Sequence, residues 1–142
     1  MKNAKIVLGV SAGIAVYKAV ELLRLLVKEG ADVRVVMSAN ADKFVTPLTF
    51  AALSGNPVYH TLFDSQNSAD MEHIRVAENA DLLVVAPTTA SMLGKMAHGL
   101  ADDALSNLHL AFKGKVLVAP AMNEGMWEHP AVQSNINLLK SR

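Results

Sequence analysis

Short apolar runs, rich in β-branched residues, recur along the chain, and each is bounded by glycine, proline or polar residues. Runs of this length and composition predict buried strands rather than helices. The predicted strands are Ile6–Val10, Val33–Met37, Val58–Tyr59, Leu82–Ala86 and Val116–Ala119. Because these runs are apolar throughout rather than alternating, they favour a parallel sheet that is covered on both faces.

Helical patterns lie between the predicted strands. In the first of them, Ala15, Ala19, Leu22 and Leu26 have the spacing of one helix face, and Gly30 lies just past its end. The first two strands and this helix therefore form a βαβ unit. Further helices are predicted from Thr46 as N-cap, with Pro47 at N1, to about Gly55, from about Thr89 to Ala97, from about Asp102 to Phe112, and from about Pro130 onward. The acidic run Ala101–Asp103 is interpreted as a helix start with a solvated face.

Strands that alternate with helices predict one α/β domain over residues 1–142. The expected architecture is a doubly wound, mainly parallel sheet with helices on both faces, a Rossmann-like or flavodoxin-like three-layer sandwich with right-handed crossovers. Ligands of such folds bind at the carboxyl ends of the strands. The candidate site therefore comprises the segments that follow the strands: Ser11–Ile14, Ser38–Asn40, Pro87–Ser91 and Pro120–Trp127.

The composition narrows the function classes. Apolar residues make up 51% of the chain, which suits one compact domain with a sizeable core. The 13 basic residues balance 13 acidic ones, so no net electrostatic field favours nucleic acid or an anionic membrane as a partner. Cysteine is absent, which excludes disulfides and thiolate catalysis within the chain and fits a reducing cytoplasm. The first apolar run is too short for a signal peptide or a membrane span. No histidine pair has metal-ligand spacing with an acidic third ligand, so we expect no metal.

The small-residue turn Gly9–Val16 joins the first strand to the first helix and allows backbone amides to approach an anion. It lacks the complete dinucleotide fingerprint, and no acidic residue ends the second strand, so a mononucleotide phosphate fits better than NAD. Neither Gly94-Lys95-Met96 nor Gly114-Lys115-Val116 completes a Walker loop, which argues against ATP hydrolysis. By itself, the turn fits tight packing of the helix on the sheet equally well.

Three segments together resemble the homo-oligomeric flavin-containing cysteine decarboxylases: Gly9–Lys18, Pro87–Ser91 and Pro120–Trp127. The last, Pro120-Ala-Met-Asn-Glu-Gly-Met-Trp127, is similar to the P-x-M-N-x-x-M-W signature of the phosphopantothenoylcysteine decarboxylases within that family. Met71-Glu-His73-Ile74 resembles the His-Ile that precedes the family's second segment. The resemblance covers essentially the whole chain.

The resemblance implies FMN as cofactor and assigns roles to individual positions. His73 is the implied base, and Asn123 the implied ligand of the substrate carboxylate, with Met122 and Met126 also contacting substrate. The implied FMN-binding residues are Ser11, Ala12, Gly13, Ile14, Ser38, Phe44, Thr88, Thr89, Ala90, Ser91 and Ala121. Without the family resemblance, a histidine such as His73 is more simply interpreted as a surface or core residue, and Asn123 as a turn residue.

The sequence departs from the family pattern in two respects. Ser91 stands where the family loop often has asparagine, which leaves the individual contacts of that loop open. The family's substrate flap, with its catalytic cysteine, is expected after the last helix, whereas the sequence ends at Arg142. The expectation is therefore a decarboxylase domain without its C-terminal flap.

The resemblance implies FMN-dependent decarboxylation of 4′-phospho-N-pantothenoylcysteine to 4′-phosphopantetheine in coenzyme A biosynthesis. The expected partners are this small substrate, copies of the chain in a trimer or a dodecamer of trimers, and a fused or separate phosphopantothenoylcysteine synthetase. Two alternatives stay open: a peptidyl-cysteine decarboxylase and a non-catalytic flavin-binding regulatory relative. A flavin prenyltransferase of the same fold is disfavoured by Pro120–Trp127.

Overall fold

A computed structural model of the chain describes residues 1–62, 75 and 77–142. Its strands form one parallel sheet in the order β2-β1-β3-β4. The strand bounds are Lys5–Val10 (β1), Asp32–Met37 (β2), Leu82–Thr88 (β3) and Lys115–Pro120 (β4). These four strands confirm the predicted ones to within two residues at each end. The predicted Val58–Tyr59 strand is reduced to a single parallel bridge between Tyr59 and Val36.

Six α-helices are described over their whole length, together with a short 3-10 turn at Ala41–Lys43. They are Val16–Lys28 (α1), Pro47–Ser54 (α2), Ala90–His98 (α3), Ala104–Ala111 (α4), Glu124–Glu128 (α5) and Pro130–Ser141 (α6). The expected Pro47 start and Gly55 end of α2 are confirmed, with Gly55 in the left-handed region at φ +71°. The short helix α5 was not predicted, because Pro120-Ala-Met-Asn123 followed by Gly125 has turn chemistry.

Helices lie on both faces of the sheet, which confirms the predicted three-layer fold. The prediction that every strand is buried is wrong for β4, whose residues are mostly exposed. Alternate residues of β1 point to opposite faces, as strand geometry requires. Ile6, Leu8 and Val10 pack in one core with α1 and α2, whereas Val7 packs in the other with α3 and α4. Because the four strands are parallel, their carboxyl ends all lie at the same edge of the sheet.

The predicted apolar face of α1 needs a small correction. The buried residues of the helix are Val16, Ala19 and Leu23, whereas Leu22 and Leu26 are only partly buried. Ala15 is the N-cap and precedes the helix. The buried face of the helix is therefore centred on Leu23 rather than on Leu22. Leu22 and Leu26 lie at the border of that face, so the helix is amphipathic as predicted but is rotated about its axis.

Gly9 lies in the middle of the sheet and faces α4. A Cβ built on Gly9 would lie only 2.5 Å from Cδ1 of Leu105, whose side chain is fully buried. The first glycine of the Gly9–Val16 turn is therefore required by close helix-sheet packing. The part of the turn that can approach an anion begins later, at Gly13.

None of the helices in residues 1–62 and 77–142 is both long enough and apolar enough to cross a membrane.

Candidate cofactor site

Ser11 joins the end of β1 to the loop after β3. Its hydroxyl donates to the carbonyl of Pro87 at 2.6 Å and accepts from the amide of Thr89 at 2.9 Å. Its own amide donates to the same Pro87 carbonyl at 3.2 Å. The residue is buried, with 1% exposure, and its side chain holds the end of β1 against the end of β3.

Ser38 makes the corresponding connection between the end of β2 and the turn after β1. Its hydroxyl oxygen accepts a hydrogen bond from the amide of Ala12 at 3.0 Å, and its amide donates to the carbonyl of Val10 at 2.9 Å. The amide of Ala41 donates back to the Ser38 carbonyl at 3.2 Å, with Asn40 at φ +68° between them. A positive φ at this position is typical of a type II turn, for which asparagine is suited.

The Pro120–Trp127 segment is attached to the same edge of the sheet. The amide of Ala121 donates to the carbonyl of Thr88 at 3.0 Å. All four segments that the sequence placed at strand ends are therefore connected by direct hydrogen bonds. The structure brings them together at one edge, as doubly wound folds require.

The N-terminus of α1 provides unused donors at this edge. Among the described residues, the amides of Gly13, Ile14 and Ala15 have no protein acceptor, whereas Val16 N–H donates to the Gly13 carbonyl at 3.1 Å. Free amides at the positive end of a 13-residue helix form an anion site. A phosphate group of FMN fits this donor set. We refer to Ala12–Ala15 together with Ser38–Asn40 as the phosphate cradle.

The loop after β3 divides into supporting and accessible residues. Thr88, the last residue of β3, has no exposed surface, and its hydroxyl donates to the carbonyl of Val85 at 2.6 Å, so the residue supports the loop. Thr89 is half-buried and caps α3, since its hydroxyl oxygen accepts from the amide of Met92 at 3.1 Å. Ala90 is half-buried and Ser91 is exposed, so both residues are accessible to a ligand.

Asn123 is the N-cap of α5. Its Oδ1 accepts from the amide of Met126 at 2.9 Å, and its Nδ2 has no acceptor within the described ranges. Because the cap fixes Oδ1, the amide is oriented with its N–H donors outward. Met122 is half-buried, whereas Met126 and the neighbouring Trp127 are 45% and 42% exposed. This arrangement offers a neutral hydrogen-bond donor beside accessible apolar side chains.

Several apolar side chains are exposed around the phosphate cradle. Phe44 follows the 3-10 turn after β2 and is 49% exposed, while Ile14 and Leu48, at the starts of the packed helices α1 and α2, are 80% and 76% exposed. Exposed apolar residues of this size, concentrated on neighbouring helix ends, are typical of a surface that contacts a cofactor or another subunit.

Sequence reasoning missed the buried carboxylate of Asp103. The residue is only 6% exposed, so the predicted solvated face at Ala101–Asp103 is wrong for it. Its Oδ1 accepts from the amide and hydroxyl of Ser106 at 2.8 and 2.6 Å in a capping box, and its Oδ2 accepts from the amide of Ala39 at 3.1 Å. The Asp-x-x-Ser spacing is a local signal for the cap. No local sequence pattern predicts the contact with Ala39, which lies 64 residues away in the sequence.

Lys95 completes this cluster. Its ammonium lies 2.9 Å from Oδ1 of Asp102 and 3.4 Å from Oδ2 of Asp103. Burial alone would raise the pKa of Asp103, but the hydrogen bonds from Ser106 and Ala39, with the charge of Lys95, hold it below 3.8. Burial lowers the pKa of Lys95, yet the two carboxylates bring it above 10.5. Asp103 and Lys95 are therefore both charged at neutral pH.

A groove of about 980 Å³ opens elsewhere, along β4 and α6. It is lined by apolar side chains such as Leu93, Val116 and Trp127 and contains none of the residues assigned to FMN.

One predicted functional residue falls in a part of the chain that the structure does not describe. The segment Met71–Ile74, with the predicted base His73, lies outside the described residues. Within the ranges that are described, no group of three or more His, Asp or Glu side chains could hold a metal ion.

Comparison with protein families gives one match over the whole chain. The sequence model of the family described as Flavoprotein matches residues 1–142. The coenzyme A biosynthesis bifunctional protein CoaBC of Bacillus subtilis (strain 168) is 50% identical over 139 residues, which are 98% of this chain and 34% of that protein. The CoaBC protein of Escherichia coli (strain K12) is 48% identical over 142 residues, 100% of this chain and 35% of its own length. The chain thus spans about a third of these relatives.

Solved structures with the same fold include several decarboxylases. The FMN-dependent cysteine decarboxylase TvaF from thioviridamide biosynthesis superposes with a TM-score of 0.88 at 26% identity, covering 97% of this chain and 85% of that one. The peptidyl-cysteine decarboxylase EpiD gives a TM-score of 0.85 at 26% identity, with 98% and 82% covered. A PPC decarboxylase mutant complexed with pantothenoylaminoethenethiol gives 0.80 at 28% identity, with 99% and 79% covered.

Proposed function

The chain belongs to the Flavoprotein family, and we propose on that basis that it binds FMN and decarboxylates 4′-phospho-N-pantothenoylcysteine to 4′-phosphopantetheine. The relatives named for coenzyme A biosynthesis, at 48 to 50% identity, favour this substrate. The observation that carries the proposal is the phosphate cradle, whose free amides lie at the edge where hydrogen bonds connect all four strand-end segments.

The residues present fit FMN in a definite way. The amides of Gly13, Ile14 and Ala15 would hold the phosphate, with Ala12 and Ser38 fixing the shape of the cradle. The exposed ring of Phe44 would lie against the flavin. Thr89, Ala90 and Ser91 would line the cofactor along the loop after β3, and Ala121 would close its other side.

The reaction needs an electron sink, because loss of CO2 from an N-acylated cysteine leaves a carbanion. The neighbouring amide nitrogen cannot accept the negative charge of that carbanion. Bound FMN supplies a reversible two-electron oxidation of the carbon that bears sulfur. The protein must therefore bind the substrate carboxylate, remove and return the thiol proton, and exclude water from the thiol-bearing end of the substrate.

Asn123 would bind the substrate carboxylate. Its Oδ1 is held by the amide of Met126, which leaves the two N–H groups of Nδ2 directed outward. A neutral donor orients the carboxylate without the strong ground-state stabilisation of an arginine, which decarboxylation would then have to reverse. Met122 and Met126 would cover the apolar part of the substrate beside it.

His73 would be the base that removes the thiol proton. Histidine is the side chain whose ordinary pKa lies nearest neutral pH, so it can accept this proton and return it in one cycle. The role rests on the sequence resemblance at Met71–Ile74.

We also propose that FMN lies between subunits of a trimer, alone or within a dodecamer of trimers, in the cytoplasm. The exposed side chains of Ile14, Phe44 and Leu48 beside the cradle support an intersubunit location. The bifunctional relatives suggest a phosphopantothenoylcysteine synthetase as a fused or separate partner. Light scattering on the flavin-loaded protein measures the oligomer directly.

An absorbance spectrum followed by a CO2-release assay tests the function. We expect a yellow protein that releases CO2 from phosphopantothenoylcysteine, and His73→Asn should abolish release while bound flavin remains. His60→Asn, at an exposed histidine, is the matched control and should retain turnover. A colourless protein that takes up no FMN, or undiminished turnover in His73→Asn, contradicts the proposal.

The likeness to EpiD supports one second candidate, decarboxylation of a peptide that ends in cysteine. The same assay with a cysteine-terminated peptide separates the two substrates. Turnover of the peptide at the higher kcat/KM would favour the peptidyl reaction.

A further inference from the structure

The carboxylate of Asp103 links two parts of the fold that lie 64 residues apart in sequence. One oxygen, Oδ1, accepts from the amide and hydroxyl of Ser106 in the first turn of α4. The other, Oδ2, accepts from the amide of Ala39, in the turn that follows β2. The residue is buried, so water does not compete for these contacts.

Capping the helix requires only one of these oxygens. Serine, threonine or asparagine would satisfy the same amide of Ser106. A second acceptor oxygen is needed only for the amide of Ala39 and for the ammonium of Lys95, which lies 3.4 Å away. The choice of a carboxylate at position 103 is thus explained by the contact with the turn rather than by the cap.

The turn held by Asp103 forms one side of the phosphate cradle. Ala39 stands next to Ser38, whose hydroxyl oxygen accepts from the amide of Ala12 at 3.0 Å. Ala12 in turn precedes the free amides at the start of α1. A chain of two hydrogen bonds therefore runs from Asp103 through the turn to the place where the phosphate would bind.

A carboxylate close to a phosphate site would ordinarily repel the ligand. Here the ammonium of Lys95 bridges Asp102 and Asp103, so the negative charge nearest the cradle is offset. Burial of Asp103 among these partners keeps it as a fixed acceptor rather than a mobile surface charge.

We propose that Asp103 is a positioning residue for the cofactor phosphate, which holds the Ala39 amide and thereby fixes the turn after β2 against the N-terminus of α1. This inference rests on the proposed FMN site. It predicts that loss of the second acceptor oxygen weakens recognition of the phosphate specifically.

Binding of FMN and of riboflavin, which lacks the phosphate, provides the test. Asp103→Asn keeps the size of the side chain but replaces one acceptor oxygen by a donor, which cannot face the Ala39 amide. We expect FMN affinity, followed by quenching of flavin fluorescence, to fall about tenfold or more, the usual effect of losing a hydrogen bond to a charged group. Riboflavin affinity should change less than about twofold, since its binding lacks the phosphate contacts.

Ser106→Ala is the matched control. It removes the hydroxyl that donates to Oδ1 but leaves the contact between Oδ2 and Ala39. We expect a lower melting temperature and an unchanged ratio of FMN to riboflavin affinity. If wild-type protein prefers FMN while Asp103→Asn keeps the same ratio, the positioning role is refuted and the FMN site stands. If wild-type protein does not distinguish FMN from riboflavin, the proposed phosphate site fails as well.

Amide hydrogen exchange in the unmodified protein gives a second test that does not depend on a variant folding. The Ala39 amide is bonded to a buried carboxylate, whereas the Asn40 amide has no acceptor among the described residues. We expect Ala39 to exchange much more slowly than Asn40. Equal exchange rates at the two amides would refute the contact on which the inference depends.

Discussion

Replacement of Gly9 by alanine tests the packing between β1 and α4. A Cβ at this position would lie 2.5 Å from Cδ1 and 3.3 Å from Cδ2 of Leu105. Leu105 is fully buried, so it cannot turn toward solvent and must shift within the core. Overpacking of this kind costs about 1 to 3 kcal/mol of unfolding free energy. We therefore expect Gly9→Ala to lower the melting temperature by roughly 3 to 10 °C.

A double-mutant cycle isolates the cause. Leu105→Ala removes both methyl groups that meet the new Cβ and costs about 2 to 5 kcal/mol by leaving a cavity. In that background, the Cβ of alanine at position 9 enters the vacated space. The double variant should therefore be no less stable than Leu105→Ala alone, with a coupling energy of about 1 to 3 kcal/mol.

Urea unfolding of the four proteins, followed by far-ultraviolet circular dichroism, measures the coupling. Gly94→Ala is the control, because Gly94 lies within α3 and its added Cβ would be 3.7 Å from the nearest atom, the Nδ2 of Asn135. That substitution should stabilise the helix by about 0.5 to 1 kcal/mol. Effects of Gly9→Ala and Leu105→Ala that add to within about 0.5 kcal/mol would refute the proposed clash.

Three further predictions concern the site. Ser38→Ala removes the part-buried hydrogen bond that holds the Ala12 amide in the cradle. Loss of such a bond typically costs about 0.5 to 1.5 kcal/mol, so FMN affinity measured by fluorescence should fall by roughly two- to tenfold. The pKa of Asp103 is lower in the folded state, so its stabilisation is present above pH 3.8 and is lost as the pH falls through the folded pKa. The stability gap between wild type and Asp103→Asn in urea unfolding should therefore be larger at pH 7 than at pH 3, and an equal gap would count against the charged form. Asn123→Asp keeps the helix cap but places a negative charge toward the substrate carboxylate, a repulsion of about 1 to 4 kcal/mol at about 4 Å. It should lower kcat/KM for CO2 release at least about fivefold with flavin absorbance unchanged, whereas full activity would exclude Asn123 from carboxylate binding.

Local sequence patterns were sufficient for the fold. The apolar runs predicted the four strands of the described sheet, because a strand buried on both faces needs continuous apolar residues wherever it occurs. This reason holds for β1, β2 and β3, whereas β4 carries the same apolar run but is mostly exposed. The bounds of α2 also follow from neighbours in sequence, since Pro47 suits the first helical turn and Gly55 the left-handed C-cap. The segments of the site could be predicted for the same reason, because strand ends in a parallel sheet share one edge.

The partners of the polar side chains at that edge could be found only in the folded protein. Ser11 and Thr89 are 78 residues apart, and Asp103 and Ala39 are 64 apart, so no spacing pattern relates them. For the same reason, the sequence assigned Thr88 to the cofactor, whereas the fold buries it. Burial and hydrogen bonding between distant segments depend on how the crossovers bring the loops together, and this is a property of the packed chain as a whole.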